Sequence, residues 1–252
     1  MLARFPLGKS SKIRIIKKSD AAPLLLFVLP IITVLIVTTR VVYRVNEESL
    51  LQIERGIFPQ DSLEKTIDKL EHKVTENPED IFSLTLLGLA YYQKGVNYYS
   101  QALNNLYKAW QLGSNDIRIY GCMGVIYDRL NLKDYAVNEY KKYLRNRPDD
   151  FYAHFKLGNL YLRSKELDLA IDCYESAYRL APKNLSVLYN LAVVYQKKNL
   201  LDEAERIWQI ALQTHKKLPP KAYYFLYELY KAKNDLEKAT FYLNKSKERS
   251  TR

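Results

Sequence analysis

The chain has 252 residues, a formal net charge of +11, eight glycines and two cysteines. Two cysteines are too few for a disulfide framework, and Cys122 and Cys173 lack the spacing of a metal site. The length allows one extended solenoid or two small domains, and the scarcity of glycine fits an all-helical chain.

Residues 1–20 carry six basic side chains, Arg4, Lys9, Lys12, Arg14, Lys17 and Lys18, against the single acid Asp20. A run of 19 uncharged residues comes next, 21–39, AAPLLLFVLPIITVLIVTT. As a helix it would span roughly 28 Å, about the hydrocarbon thickness of a bilayer. Arg40, Tyr43 and Arg44 suit the interface at its far end. The run is longer than the apolar region of a signal peptide and lacks a small-x-small site after it. The expectation is therefore a retained transmembrane helix over 21–43, behind a basic head over 1–20. Residues 40–59 hold three basic side chains beside Glu47, Glu48 and Glu54. The charge bias predicts a cytoplasmic N-terminus and an exported C-terminal part, which in a bacterium means the inner membrane and the periplasm.

Residues 44–61 connect the span to the rest, with the membrane helix continuing as far as Gly56 and Pro59 breaking the chain. Asp61 and Glu64 resemble a capping box. A helix over 62–76 then shows Leu63, Ile67, Leu70 and Val74 on one face. It has no partner helix in the register of the later repeats, so 62–80 reads as a capping half repeat.

From residue 81 the chain repeats. Gly88, Gly124, Gly158 and Ala192 form one column; Tyr91, Tyr127, Tyr161, Tyr195 and Tyr230 a second; Ala102, Ala136, Ala170, Ala204 and Ala239 a third, in steps of 34, 34, 34 and 35. A small residue on each of two helices lets their axes approach closely. Asp80, Asp116, Asp150 and Asn184 are good N-caps, and Pro78, Pro148 and Pro182 stop the helices before them. In the stretch 151–184 the residues Leu157, Gly158, Tyr161, Ala170, Tyr174, Ala177 and Pro182 fall as they do in a tetratricopeptide repeat. From about residue 80 onward the chain resembles a tetratricopeptide-repeat array. The resemblance implies an all-α, right-handed superhelical solenoid of about five helix pairs, 81–116, 117–150, 151–184, 185–219 and 220–252. Two extra residues between Tyr91 and Ala102 predict a longer turn in the first unit. Tyr227 in the small-residue column and Ser246 opposite predict a splayed or repacked last pair.

In the family the inner face is lined by set positions of each first helix. Carried over, these give a protein-binding surface of Phe82 and Tyr92, Arg118 and Arg129, then Tyr152, Phe155, Asn159 and Arg163, followed by Tyr189 and Lys197, and Lys221 and Tyr224. Aromatic and cationic residues of this kind suit an extended peptide or helix with hydrophobic anchors and some negative charge. The carboxylate-clamp variant is excluded because its lysine position holds Thr85, Gly121 and Phe155.

The sequence has no HExxH, glycine-rich phosphate loop or nucleophile elbow. His154 falls where a packed aromatic is usual and reads as core. The expectation is a non-enzyme without cofactor or metal. From Ser62 on, the excess of basic over acidic residues is 7 (30 against 23). Nucleic acid is a runner-up partner by charge alone, but the charge is spread over many helices and the array is expected outside the cytoplasm, so no nucleic-acid partner is expected. The reading is a membrane-anchored scaffold that assembles an envelope complex, in the manner of repeat-containing collars around periplasmic flagellar motors. The alternative is a chaperone-like accessory of protein export. Tyr223, Tyr224, Phe225, Tyr227, Phe241 and Tyr242 crowd the last unit, which predicts a contact with a second copy or another subunit.

Overall fold

The computed structural model describes residues 49–248. The basic head, the 21–43 span and the first residues of the connection lie outside the described residues. Among the described residues no helix is long and apolar enough to cross a membrane.

Twelve α-helices are described. α1 is Leu50–Arg55 and α2 Leu63–Glu76. Five pairs follow: α3 Ile81–Lys94 with α4 Tyr99–Gln111, α5 Ile117–Arg129 with α6 Lys133–Asn146, and α7 Phe151–Arg163 with α8 Leu167–Leu180. The last two pairs are α9 Leu185–Lys197 with α10 Leu201–Thr214, and α11 Pro220–Ala232 with α12 Leu236–Glu248. Each pair packs internally and against the next, giving a solenoid. α2 packs on α3, through Leu63, Ile67 and Leu70 against Leu87 and Ala90.

Local chemistry fixes where each helix begins. The carboxylates of Asp80, Asp116 and Asp150 and the amide oxygen of Asn184 accept from the first free N–H groups of α3, α5, α7 and α9. α11 has no such cap and starts on Pro219-Pro220, whose ring presets the helical φ. The 60–62 segment is a 3₁₀ turn, and Ser62 makes no side-chain cap to α2, so the Asp61–Glu64 capping box does not form. The extra residues of the first unit form a second 3₁₀ turn, Val96–Tyr98, after Gly95. In the other four units the inter-helix turn passes through one left-handed residue: Asn131, Lys165, Asn199 and Asn234, with φ between 59° and 63°. Asparagine tolerates this backbone better than lysine, so Lys165 carries a local strain.

The close approach within each pair is visible at the glycines. A Cβ on Gly124 would come within 2.7 Å of the Tyr140 ring, and one on Gly158 within 2.8 Å of the Tyr174 ring. Gly88 faces Leu106 in the same way, at 2.6 Å. Leu106, Tyr140, Tyr174 and Trp208 recur at steps of 34 and are all fully buried, so they have no room to retreat. Units are also tied to each other. The hydroxyl of Tyr195 donates to Glu175 at 2.5 Å and that of Tyr230 to Glu205 at 3.0 Å; Tyr91 makes the corresponding bond to Glu71.

The last pair is repacked, one of the two outcomes expected from Tyr227 and Ser246. α11 and α12 pack as closely as the other pairs and are not splayed. Tyr242 stacks between Tyr223 and Tyr230, with centroids 6.4 and 5.5 Å apart. Of the terminal aromatics, Tyr224 and Phe241 remain about half exposed.

Two outcomes test this packing. Gly158→Leu drives a side chain into the fixed Tyr174 ring and is expected to lower stability by about 1–3 kcal/mol in urea denaturation; an unchanged midpoint would place the close contact elsewhere. Lys165→Asn relieves the left-handed strain and should stabilise by about 1 kcal/mol; a lower melting temperature would show that Lys165 makes a compensating interaction.

Candidate functional site: a peptide-type groove on the first helices

The first helices α3, α5 and α7 form one face, and α1 lies across it. The chain enters at the start of α7, crosses α5 and leaves beside the end of α3. Three polar groups hold its backbone along this path. Asp150 accepts the Leu50 N–H through Oδ2 at 2.7 Å. Tyr92 donates its hydroxyl to the Glu54 carbonyl at 2.9 Å. Gln93 clasps Phe58 on both sides, accepting its N–H at 2.9 Å and donating to its carbonyl at 2.6 Å.

α1 is a discrete helix and not the end of a longer one. Ser49 and Gln52 form a reciprocal capping box at its start, and Gly56, with φ at 92°, ends it. The expected stop at Gly56 is observed, whereas the helix itself begins at Leu50. Leu50 and Ile53, three residues apart, point together into the face and are fully buried. Ile53 sits over Gly121, where a Cβ would lie 3.0 Å from its Cδ1 and 3.2 Å from the Tyr143 ring.

Glu54 follows Ile53 and supplies the charge. It accepts from the Tyr152 hydroxyl at 2.6 Å and lies 3.3 Å from Lys156 Nζ and 3.9 Å from Arg129 Nη2. Burial, together with this carboxylate, pushes the Tyr152 hydroxyl well above the ordinary tyrosine range. Arg129 also donates to Tyr99 at 2.9 Å and covers the Tyr92 ring. Lys156 bridges from Glu54 to Asp128, 3.0 Å away, and Arg163 pairs with the same aspartate. Asp128 is held below the usual carboxylate range: burial opposes its charge, and Arg163 and Lys156 outweigh that.

Of the twelve residues expected on the inner face, Tyr92, Arg129 and Tyr152 touch α1 directly. Phe155 stacks on Tyr152, with ring centroids 6.0 Å apart. Asn159 is turned inward and accepts from Tyr174 at 2.7 Å and Asn190 at 2.8 Å. Arg118 is 2 % exposed and folds back on Asp116 at 2.6 Å, so it does not line an open surface. Phe82 is exposed beside α2, near Lys65, Lys69 and Lys73. Tyr189 and Lys221 lie farther along, on a second, open depression of about 430 Å³ with Asn190 and Pro219. Lys197 and Tyr224 are exposed. His154, expected in the core, is half-buried and meets the Pro148 carbonyl at 2.9 Å.

The repeat register does not reveal the occupant of the groove, but two signals in the sequence bear on it. The capping-box pair Ser49 and Gln52 marks an independent helix start. In the column Ala109, Ala177 and Ala211, unit two carries Tyr143, and in the inner-face column of Thr85, Phe155, Tyr189 and Tyr224 it carries Gly121. The tyrosine's extra bulk needs the glycine, and the space left above the glycine is what Ile53 fills. Tyr143 also donates to Asp150 Oδ2 at 2.8 Å, steadying the oxygen that accepts from Leu50.

Among the described residues no group of three or more histidine, cysteine or acidic side chains could hold a metal ion. Both cysteines are free thiols; burial pushes Cys173 up to about 12 and Cys122 higher still, so neither is poised as a nucleophile.

Asp150 therefore caps α7, seats α1 and accepts from Tyr143. Asp150→Ala removes the cap and the acceptor of the buried Leu50 N–H, an expected loss of at least about 2 kcal/mol. Asn184→Ala removes only a cap, and about 1 kcal/mol is expected. Equal losses in urea denaturation would mean that the α1 seat contributes nothing.

Residues 124–184 match the family model described as tetratricopeptide repeat. The chain also shares its fold with solved structures. YrrB, a TPR protein with an unusual peptide-binding site, is 21 % identical with a TM-score of 0.63, over 70 % of this chain and 90 % of that one. MamA is 22 % identical with a TM-score of 0.56, over 62 % and 90 %. The pilF protein of Pseudomonas aeruginosa is 17 % identical with a TM-score of 0.57, over 73 % and 82 %. At these identities the likeness is one of fold. No curated protein matches the sequence.

Proposed function

We propose that this chain is a non-enzymatic, membrane-anchored scaffold whose tetratricopeptide array holds other proteins. The observation that carries the reading is the groove itself: the first helices grip a short helix by two apolar anchors and one carboxylate, the contact pattern of a peptide-binding face. YrrB, which has the same fold, has a peptide-binding site, and this supports the reading. The basic head and uncharged run of residues 1–39 support anchoring in a bacterial inner membrane with the array in the periplasm. There the array serves as a structural part of an envelope assembly, of the kind represented by a flagellar motor collar. The half-exposed Tyr224 and Phe241 of the last unit offer a contact to a second copy or a neighbouring subunit.

Crosslinking in intact cells, followed by mass spectrometry, is expected to yield one set of partners in fixed ratio. Many clients at low occupancy would favour a chaperone-like role in export, and no partner at all would remove the scaffold reading. A reporter active only outside the cytoplasm, fused after Arg252, should be active; activity of a cytoplasmic reporter alone would overturn the topology.

A further inference from the structure

We infer that α1 is a displaceable plug that spells out the ligand of the groove: a short partner helix with two apolar residues three apart and an acid directly after the second. The inference rests on the scaffold reading and specifies its partner. The code is read from the contacts of α1. Leu50 and Ile53 fill the apolar floor, with Gly121 providing the space for Ile53, and Glu54 meets Tyr152, Lys156 and Arg129. The backbone contact is equally general, because Asp150 would accept the first free N–H of any helix placed there.

Leu50 and Ile53 are part of the main buried core, yet three features make α1 an exchangeable occupant. A helix of six residues does not persist alone in water, so α1 is folded by the groove and not by itself. Its junction with the following chain is Gly56, a residue type that can take other backbone conformations, and the Gln93 clasp holds the chain beyond it at Phe58. The close contacts inside the helix pairs, Gly88 with Leu106, Gly124 with Tyr140 and Gly158 with Tyr174, are made without α1. Tethered in cis, α1 competes at a high effective concentration, so a partner must outbind it or meet a chain in which it has been pulled away.

The test uses a fluorescent peptide of residues 49–58, SLLQIERGIF, titrated with the full chain. In the Ile53→Asp chain the cis segment is evicted, and the peptide is expected to bind at least about tenfold tighter than to the unaltered chain. A peptide with Glu54→Lys should lose at least about tenfold in affinity, and Gly121→Leu added to the Ile53→Asp chain should abolish binding. Equal affinity for both chains would overturn the inference, as would failure to bind an Ile53→Asp chain that still unfolds cooperatively. If Ile53→Asp does not fold, hydrogen exchange of the unaltered chain decides. Saturating peptide should expose the amides of 50–55 while α5 and α7 stay protected, and unchanged protection would overturn the inference. Sedimentation of the unaltered chain as a dimer that Ile53→Asp dissociates would place the segment in a second copy, and would also overturn it. None of these failures touches the crosslinking result, which tests the scaffold reading separately.

Discussion

The structure depends on one steric constraint, repeated along the first three units: a glycine on the first helix faces a large, fully buried side chain on the second. Gly88 meets Leu106, Gly124 meets Tyr140 and Gly158 meets Tyr174, each closer than a Cβ would allow. This contact sets the distance between the two helices of a unit, and through it the shape that the next unit must match. The inter-unit bonds from Tyr195 to Glu175 and from Tyr230 to Glu205 then lock neighbours at that spacing. Because each unit leans on its neighbours, damage to one contact is shared along the array.

The same logic of size exchange produces the groove. Unit two departs from the repeat at two positions at once. Tyr143 replaces an alanine and Gly121 replaces a larger inner-face residue, so bulk is moved from one helix to the other. The result is a depression on the first helices floored by a glycine, with the Tyr143 hydroxyl below pointing at Asp150. In unit three the inner-face position returns to Phe155, which stacks with Tyr152 and closes the depression on that side. A departure from the repeat is thus the place where the array acquires a specific binding feature, while the regular units supply rigidity.

Most of the fold is legible in the sequence because repetition multiplies weak signals. The caps Asp80, Asp116, Asp150 and Asn184 and the alanine column place the five pairs to within a residue or two. The last pair escapes this logic. Tyr227, taken against its column, predicts a pair that is splayed or repacked without deciding between them, and Tyr242 stacking on Tyr223 and Tyr230 gives the repacked form. The groove is half legible. Register carries Tyr92, Arg129 and Tyr152 to the inner face, but it says nothing about rotamers, so Arg118, which turns back to Asp116, looks the same as Arg129. The occupant is hidden because its partners are about 100 residues away, as in the bond from Leu50 to Asp150. No local pattern encodes a contact of that range.

The energetics of α1 explain how one segment can be both seated and exchangeable. Burying Leu50 and Ile53 contributes roughly 1.5–3 kcal/mol each. Ordering the backbone of its six residues costs about 1–2 kcal/mol apiece. The difference is offset by a few hydrogen bonds, of which those to charged groups contribute about 1.5–3 kcal/mol each. These include Leu50 to Asp150 and Tyr152 to Glu54, together with Tyr92 to the Glu54 carbonyl. The favourable and unfavourable contributions are of equal size, so the seat is held by its polar clasps and not by the apolar anchors alone. A partner that offers the same anchors and one further contact, for instance on the open depression beside Tyr189 and Lys221, would shift the balance without any change in the array.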